Sequence, residues 1–300
     1  TNLSISKAVE SLGFYYAPDP SSQIACTIGG NVAENAGGIH CLKYGVTTNN
    51  VLGIEFVLHD GEVIRLGGRA GDTDGYDLLG VIVGSEGLLG IVTEVTVRLL
   101  RKPQAVRALM AGFTNSRQAG DAVAAIIGNG IIPAALEMMD RPAIQAVEAY
   151  CHPGYPLDAE AVLIVELDGP EPEVETELQA VRREVEAAGA TSITVAQGEE
   201  ERRLIWLGRR SAFPAVGRIA RDYLCVDGTI PRHRLPEVLD RTAELAAHHG
   251  LRVANVFHAG DGNLHPLILF DSGIPGDSAK AEALGYAILK LCVDVGGVLS

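Results

Sequence analysis

Basic residues, long apolar runs and paired cysteines are scarce in this sequence, and each shortage argues against a class of protein. The chain has 24 lysines and arginines against 38 aspartates and glutamates, which gives a net charge of −14 and a pI near 5.0. Because nucleic acids and anionic membrane surfaces require a basic face on their partners, we expect neither as a partner. No apolar stretch reaches 18 residues and no charged segment precedes an apolar leader, so the sequence predicts neither a membrane span nor a signal peptide.

The cysteines are odd in number and far apart, and no two of them form a C-x-x-C pair. The five are Cys26, Cys41, Cys151, Cys225 and Cys292. This usage is typical of reduced thiols in the cytosol rather than of a disulfide framework, and it argues against an iron-sulfur cluster ligated by this chain alone.

Length and texture together predict two domains. Three hundred residues exceed one ordinary core. Residues 25–98 are rich in glycine between short apolar runs, two of which flank Asp60-Gly61 and predict a hairpin. Longer strands and helices alternate after Pro103, so we place the domain boundary there. Because the chain starts without methionine and stops soon after Gly296-Gly297, we expect it to be a piece of a longer polypeptide.

The second part of the chain alternates between the strand and helix periods. Its patterns predict strands over 106–113, 133–139, 161–168, 192–197 and 222–228, and helices over 116–129, 140–150, 172–189, 199–213, 232–249 and 278–295. The helix over 172–189 is the most distinct, because Val174, Leu178, Val181 and Val185 share one face and Gly189 follows its end. Strands and helices in this order favour an α+β fold built from ferredoxin-like units.

Two histidines flank a glycine-rich reversal of the chain. The apolar run Val253–Phe257 predicts a strand that returns over 264–270, with the turn over 260–263. If His258 and His265 are the closing cross-strand pair, their β-carbons lie roughly 5 Å apart and both rings can reach one cation. A catalytic metal site needs a third protein ligand and an open position. A glycine-rich hairpin with two surface histidines is the alternative.

Two glycine segments, residues 26–38 and 84–93, could bind a dinucleotide. Paired glycines with small polar neighbours let backbone N–H groups approach a phosphate closely. Neither segment has the G-x-G-x-x-G pattern of the Rossmann fold or the lysine of a Walker loop. Glycines that serve only turns remain the alternative.

Six motifs occur in a fixed order along the chain, and together they define a resemblance. They are Pro18–Ser22, Ile28–Gly38, Lys43–Gly45, Gly84–Glu94, Trp206–Arg210 and His258–Pro266. In these motifs the sequence resembles the FAD-linked D-2-hydroxyacid dehydrogenases, a family with the vanillyl-alcohol-oxidase flavin fold. The resemblance implies that residues 1–103 are the C-terminal half of a FAD-binding domain. Residues 104–300 would be the FAD-linked oxidase C-terminal domain, which holds substrate and metal and is truncated at its end.

The resemblance also implies roles for particular residues. Residues that would line the FAD are Pro20, Ser21, Ser22, Gly29, Gly30, Asn35, Gly37, Gly38, Gly45, Gly84, Ser85, Glu86, Gly87 and Ile91. His258 and His265 would bind a divalent metal of the zinc, manganese or iron class. Arg209 would pair with the substrate carboxylate, a task suited to a planar guanidinium, with Arg210 as its neighbour. Asn263 would shape the turn or touch the substrate.

The family pattern is incomplete here. The first half of the flavin domain is absent, and so is a downstream Gly-Glu-His-Gly segment that would supply the third metal ligand and a base, so we expect these 300 residues alone to be inactive. Where hydroxyglutarate enzymes have Lys-Tyr-Asp this chain has Cys225-Val226-Asp227, and Leu267 replaces an asparagine. These differences favour a small monocarboxylate substrate.

The resemblance therefore implies FAD-dependent oxidation of a small 2-hydroxy acid, glycolate or D-lactate, to the 2-oxo acid. Electrons would pass to a respiratory acceptor through companion flavin and iron-sulfur subunits, from a cytoplasmic protein held at the inner face of the membrane by those partners. Two other functions stay open from the residues: a flavin-free, metal-dependent hydrolase that uses the same two histidines, and a non-catalytic fragment that docks subunits.

Overall fold

A computed structural model of the chain describes residues 1–69 and 75–299. By its internal contacts the chain divides into two units, Thr1–Pro103 and Gln104–Ser300. In the first unit the helices are α1 (Asn2–Val9), α2 (Ile28–Ala33), α3 (Cys41–Tyr44) and α4 (Leu78–Ile82). Its strands are β1 (Phe14–Tyr15), β2 (Val51–Val57), β3 (Val63–Gly67), β4 (Ile91–Val97) and β5 (Leu100–Arg101).

The first unit is built on a three-stranded antiparallel sheet of order β3-β2-β4. The hairpin predicted around Asp60-Gly61 is confirmed: β2 pairs with β3, and Gly61 in the turn has φ +86°, a left-handed conformation that favours glycine. Helix α2 packs against β4, and Val32 from that helix joins Phe56 of the sheet in a small buried core. This packing fixes the glycine-rich helix on the face of the sheet.

The second unit is larger, and its elements follow the order predicted from the sequence. Its strands are β6 (Ala105–Phe113), β7 (Ala135–Asp140), β8 (Ala161–Gly169), β9 (Ser192–Val195), β10 (Asp222–Cys225), β11 (Gly228–Thr229), β12 (Arg252–Phe257), β13 (Asn263–Leu264), β14 (Pro266–Phe270) and β15 (Val298–Leu299). Its helices are α5 (Ser116–Gly128), α6 (Arg141–Cys151), α7 (Glu171–Ala187), α8 (Glu199–Arg210), α9 (Ala212–Val216), α10 (Leu235–His249) and α11 (Asp277–Asp294).

Seven strands of this unit form one antiparallel sheet of order β10-β14-β12-β7-β8-β6-β9. The half β7-β8-β6-β9 has the strand order of a ferredoxin-like unit, and β10-β14-β12 repeats three strands of the same arrangement. The two halves meet where β12 pairs with β7, with Val256 opposite Met139 and Phe257 opposite Met138. The predicted α+β fold of ferredoxin-like units is confirmed, and this seam carries the histidine hairpin.

Two predicted elements have the wrong extent. The helix predicted over 199–213 is two helices, because α8 ends before Ser211 and a separate short helix, α9, follows with Pro214 inside its first turn. The strand predicted over 222–228 ends at Cys225, and Gly228 belongs to a separate three-stranded sheet of order β13-β11-β15. Phe213, which follows the first break, and Asp227, which lies at the second, both contact His265.

Among residues 1–69 and 75–299, no helix has the length and apolar character needed to cross a bilayer.

Candidate functional site

The histidine hairpin forms, but its register differs from the prediction. His258 pairs with Asn263, with His258 N donating to Asn263 O at 3.0 Å and Asn263 N donating back at 3.2 Å. The turn therefore covers residues 259–262, one residue earlier than predicted, because the strand pairing extends through His258. His258 and His265 are consequently diagonal neighbours on one face of the hairpin, and the expectation that they are directly opposite was wrong.

The diagonal placement still brings the two rings together. Their centroids are 5.1 Å apart and their planes are nearly perpendicular, at 87°. The side chain of His258 is 19% exposed and that of His265 is 13% exposed. Both imidazoles are thus largely enclosed by protein and remain open on one side.

A carboxylate holds the Nδ1 atom of each ring. Glu137 Oε1 lies 2.8 Å from Nδ1 of His258, and Asp227 Oδ2 lies 3.0 Å from Nδ1 of His265. At His258 the contact is a hydrogen bond, and a carboxylate that accepts from Nδ1–H favours the tautomer whose Nε2 carries the lone pair, whereas at His265 it is an ion-pair contact. Neither carboxylate was identified from the sequence.

Arg209 reaches the same glutamate from the other side. Its Nε and Nη2 atoms lie 2.8 and 2.6 Å from Glu137 Oε2, and its side chain is 6% exposed. Helix α8 presents Arg202, Trp206 and Arg209 at i, i+4 and i+7 toward the sheet. Arg202 and Trp206 both donate to Glu166 of β8, at 3.2 and 2.5 Å. The substrate anchor proposed from the sequence therefore lies on the sheet-facing side of its helix.

Electrostatics hold the Glu137 group in its ionised form. Burial favours the neutral acid, but the charges and hydrogen bonds of His258 and Arg209 outweigh it and lower the pKa of the Glu137 carboxyl. Burial likewise opposes protonation of His258, but the charge and hydrogen bond of Glu137 prevail and raise the pKa of that imidazole. Burial also raises the pKa of the nearby Asp261.

The other predicted site residues of this unit lie at different distances from the rings. Asn263 is bonded to His258 through the backbone, and its side-chain oxygen lies 3.4 Å from Thr229 Oγ1. Arg210 is exposed at the end of α8, unlike its buried neighbour Arg209. The structure therefore brings His258, His265 and Arg209 together in one cluster. Asn263 is connected to this cluster by its backbone pairing with His258, and Arg210 is only next to Arg209 in the chain.

Phe213 is a further neighbour that the sequence did not indicate. Its ring centroid is 6.4 Å from that of His265, in an edge-on orientation, and 6.5 Å from that of Tyr223. Phe213 lies one turn beyond Arg209, on the short helix that follows the break at Ser211. The sequence signal that could have indicated Glu137 is a single acidic residue within the otherwise apolar run of residues 134–139, which is rare unless the charge is paired.

The residues present fit a divalent metal as part of its ligand set. Among the described residues there is no group of three or more histidine, cysteine, aspartate or glutamate side chains that could hold a metal. The two imidazoles nevertheless have the chemistry of ligands, because both are adjacent and both have a carboxylate on Nδ1, the arrangement that orients metal-binding histidines. A catalytic metal held by these two rings would need a third ligand from outside them.

In the first unit, the two glycine segments meet at one place. Gly84 N donates to Val32 O and Glu86 N to Ala33 O, both at 2.9 Å, which ties the second segment to the end of α2. A surface cavity of about 300 Å³ lies between the segments. It is lined in part by five of the residues predicted to bind FAD, namely Gly29, Gly30, Ser85, Gly87 and Ile91.

The remaining predicted flavin residues lie in nearby turns of the same unit. A β-carbon on Gly38 would collide with the Asp19 carbonyl, so this glycine lets the Pro20–Ser22 segment approach closely. Asp19 also accepts from His40, with Oδ2 2.8 Å from Nδ1. Asn35, with φ +48°, uses its side-chain oxygen to accept from Thr48 N at 2.9 Å. Gly37 and Gly45 would likewise meet chain atoms, which are Cys41 Sγ and Asn49.

This geometry fits a dinucleotide in part. Gly87 has φ +74°, and a β-carbon there would meet no atom within 4 Å, so the open space beside it is available to a ligand. Neighbouring atoms of the chain instead leave no room for a β-carbon at Gly37, Gly38 and Gly45, so packing within the protein explains these three glycines. The cavity between the segments is therefore the part of this unit that best suits a flavin nucleotide.

Comparison with known proteins gives matches over the whole chain. Residues 1–67 match the family described as FAD binding domain, and residues 102–300 match FAD linked oxidases, C-terminal domain. The chain is 59% identical over 299 residues to the glycolate oxidase subunit GlcD of Escherichia coli (strain K12), covering 100% of this chain and 60% of that protein. It is 40% identical to the subunit of the same name from Bacillus subtilis, covering 99% of this chain and 64% of that protein.

A D-lactate dehydrogenase of Anaerostipes hadrus is 34% identical, with 99% of this chain and 64% of that protein covered. The chain thus spans between 60% and 64% of the length of these relatives.

Solved structures show the same fold at low identity. An alkyldihydroxyacetonephosphate synthase matches with a TM-score of 0.77 and 21% identity, over 100% of this chain and 58% of that one. A p-cresol methylhydroxylase matches with a TM-score of 0.78 and 15% identity, over 100% of this chain and 66% of that one. With both parts of its sequence matched, the chain belongs to the family of FAD-linked oxidases.

Proposed function

We propose that the complete protein oxidises a small 2-hydroxy acid, glycolate or D-lactate, to the 2-oxo acid with FAD as the hydride acceptor. The family match and the names of the relatives support the reaction and the substrate class. Because the chain spans less than two thirds of those relatives, the activity proposed is that of the complete protein.

One observation within the structure carries this proposal. Two enclosed imidazoles have their rings 5.1 Å apart, and one of them, His258, shares the carboxylate of Glu137 with the buried Arg209. A cation on the imidazoles and a guanidinium beside them suit the two ends of a 2-hydroxy acid, its hydroxyl and its carboxylate. Phe213, edge-on to His265, is an apolar neighbour suited to a substrate with a small side chain.

We assign FAD and the metal cation to separate units of the chain. FAD, which takes the hydride from the substrate α-carbon when bound, would lie against the cavity between the glycine segments of residues 1–103. A divalent cation of the zinc, manganese or iron class, which lowers the pKa of the substrate hydroxyl when bound, would be held by Nε2 of His258 and Nε2 of His265. Residues 104–300 would form the substrate and metal domain.

The residues of this chain position the substrate. Two nitrogen atoms of Arg209, Nε and Nη2, already contact Glu137. A substrate carboxylate would therefore be received mainly at its Nη1 end, which fixes the face of the α-carbon. Exposed Arg210 would attract the anion as it arrives, and Asn263 would hold the turn so that His258 keeps its place. The base that accepts the hydroxyl proton would lie outside these residues.

The proposed partners are companion flavin and iron-sulfur subunits that pass electrons to a respiratory acceptor. The relatives from Escherichia coli and Bacillus subtilis are named as subunits of a glycolate oxidase, which supports an assembly of this kind. All five cysteines have free thiols, which supports the cytoplasmic location that we propose, at the inner face of the membrane through those partners. The match to FAD-linked oxidases favours this function over a flavin-free hydrolase.

The test is substrate-dependent bleaching combined with metal analysis of the complete protein. Glycolate or D-lactate should bleach the flavin absorption, and His258→Ala should remove bound metal. His248→Ala is the matched control. His248 and His249 at the end of α10 are also close neighbours, with ring centroids 5.4 Å apart, but we expect no metal to bind there. A colourless protein, or one bleached by no member of a panel of D- and L-2-hydroxy acids, would contradict the proposed reaction.

A further inference from the structure

We propose that Glu137 and Asp227 are positioning residues that aim the two imidazoles at the metal. Glu137 would in addition tie the substrate anchor Arg209 to one of those ligands. The inference rests on the metal site of the proposed function and adds two residues to which neither the sequence motifs nor the comparisons assign a role. It concerns the protein's own carboxylates, so their effect can be measured without turnover.

The place of Glu137 follows from the seam between the two halves of the sheet. Phe257 lies opposite Met138 and Val256 opposite Met139, so the same register continued by one residue places His258 opposite Glu137. Gly260 N donates to Leu136 O at 2.9 Å and fixes the turn against the same strand. The contact of 2.8 Å between Oε1 and Nδ1 is therefore held by two paired strands, and the ring has little freedom to rotate.

Asp227 performs the matching task from the segment between β10 and β11. Its Oδ2 lies 3.0 Å from Nδ1 of His265, and its Oδ1 is buried with no hydrogen-bond partner in the described part of the chain. Within that part, the contact shown for the Asp227 carboxylate is the ion pair with this one imidazole. Two carboxylates from separate elements thus contact the Nδ1 atoms of the two imidazoles, one carboxylate for each ring. Two histidines that were neighbours at the surface by chance would not require this arrangement.

Glu137 differs from Asp227 because its carboxylate binds a second residue, Arg209, in addition to a histidine. Its Oε2 accepts from Nε and Nη2 of Arg209 while its Oε1 accepts from His258. A single carboxylate thus sets the distance between a metal ligand and the residue proposed to bind the substrate carboxylate. Loss of Glu137 should disturb metal and substrate together, whereas loss of Asp227 should disturb mainly the metal.

The experiment is a titration of the metal-stripped complete protein with Zn²⁺, followed by calorimetry, for the wild type, Glu137→Gln and Asp227→Asn. Removal of an outer carboxylate of this kind lowers metal affinity by about 10- to 100-fold, and we expect that loss in both variants. Glu166→Gln is the matched control, because Glu166 is a buried glutamate of the neighbouring strand whose described partners are Arg202 and Trp206. It should keep its Zn²⁺ affinity within about threefold of the wild type.

A second readout separates positioning from general damage to the fold. With Zn²⁺ restored at saturation, Glu137→Gln should still raise the KM for glycolate or D-lactate, whichever the protein turns over, because Arg209 has lost its partner. Asp227→Asn should raise that KM less than Glu137→Gln does, because Arg209 keeps its partner in this variant. Histidine-selective ¹⁵N spectra of the metal-free protein at alkaline pH should show Nδ1–H tautomers for His258 and His265, and a shift away from them in the respective variants.

Three outcomes decide the inference. Wild-type Zn²⁺ affinity in both variants, with affinity lost in His258→Ala, would overturn the positioning role and leave the metal site intact. Failure of the wild type itself to bind Zn²⁺ would overturn the metal site and this inference with it. If Glu137→Gln does not fold, Asp227→Asn decides the matter, because the Asp227 side chain is 33% exposed and tolerates substitution better.

Discussion

Tyr155 lies against Gly208 so closely that a β-carbon on the glycine would be 2.5 Å from Cζ of the tyrosine ring. The Tyr155 hydroxyl donates to the carbonyl of Ile205 in the same helix, and the tyrosine is buried. Only glycine allows this ring to seat on α8 one residue before Arg209. This contact sets how closely α8 packs against its neighbours. We therefore expect it to control whether the Arg209 guanidinium can contact Glu137.

Replacing Gly208 with alanine should therefore displace α8 from the sheet. Overpacking of a buried contact costs about 1–3 kcal/mol, which a urea unfolding curve would register, and the shifted Arg209 should raise the KM for the 2-hydroxy acid. Gly198→Ala at the start of the same helix is the control, because a β-carbon there meets no atom within 4 Å. Equal effects of the two substitutions would show that the Tyr155 contact is unimportant.

Arg209 should matter for stability as well as for substrate binding. Arg209→Ala leaves the Glu137 carboxylate buried without one of its two partners, and breaking a buried pair in this way costs about 3–5 kcal/mol. Arg209→Lys keeps the charge and should fold better, but it loses the planar fork, so we expect kcat/KM for glycolate or D-lactate to fall by a factor on the order of 10².

Steady-state kinetics and denaturant unfolding would check both statements. Arg203→Lys is the control on the same helix, where an exposed arginine pairs with Glu200 and should be replaceable without effect on either measurement. Unchanged kinetics in Arg209→Lys would mean that the substrate carboxylate is bound elsewhere.

Sequence patterns predicted the elements of the second unit well because its helices are strongly amphipathic. Val174, Leu178, Val181 and Val185 were placed on one face of a helix, and all four are buried on α7. The glycine-rich reversal between the histidines was also visible, since few residues besides glycine adopt the positive φ of Gly262 at low cost. Local periodicity and turn chemistry are sufficient for features of this kind.

Contacts between distant strands could not be predicted in the same way. Glu137 and His258 are separated by 121 residues and meet only because β7 and β12 pair at the seam between the two halves. The turn of the hairpin was misplaced by one residue for a related reason, and His258 therefore pairs with Asn263 instead of His265. The choice between a turn over 259–262 and one over 260–263 depends on whether His258 continues the ladder, which several glycines in a row leave open.

The cavity between the glycine segments predicts a matched pair of substitutions. Gly87 and Gly61 both have positive φ, +74° and +86°, and a β-carbon on either would meet no chain atom within 4 Å. Alanine should therefore impose a similar backbone strain of about 1 kcal/mol at each position. Gly87 lines the cavity, whereas Gly61 lies in the β2–β3 turn.

We expect Gly87→Ala to lower the flavin content of the complete protein severalfold and Gly61→Ala to leave it unchanged. Flavin absorbance per polypeptide after purification, with the melting temperature as the measure of strain, distinguishes the two effects. Equal flavin contents at equal melting temperatures would argue against this cavity as the flavin site.

Metal affinity should depend on pH through His258. Glu137 raises the pKa of this imidazole above its usual value, and a metal binds only the neutral ring, so protons compete with the metal up to a higher pH than for an unpaired histidine. Zn²⁺ affinity should rise by about tenfold per pH unit below that pKa and level off above it. In Glu137→Gln the levelling should move to lower pH, because the negative charge that retains the proton is gone. Calorimetric titrations across a pH series would show it, and an unmoved profile would exclude Glu137 as the cause.

Phe213 should limit the size of the substrate side chain. Its ring lies edge-on to His265 at a centroid distance of 6.4 Å and one turn past Arg209, which puts it next to the residues proposed to bind the 2-hydroxy acid. Phe213→Ala should raise kcat/KM for 2-hydroxybutyrate relative to glycolate by about tenfold, since one methylene in an apolar pocket is worth about 10- to 200-fold. Phe213→Leu retains most of the volume and should leave the ratio unchanged. A ratio that changes equally in both variants would point to displacement of His265 rather than to the size of the pocket, because only the alanine variant opens space.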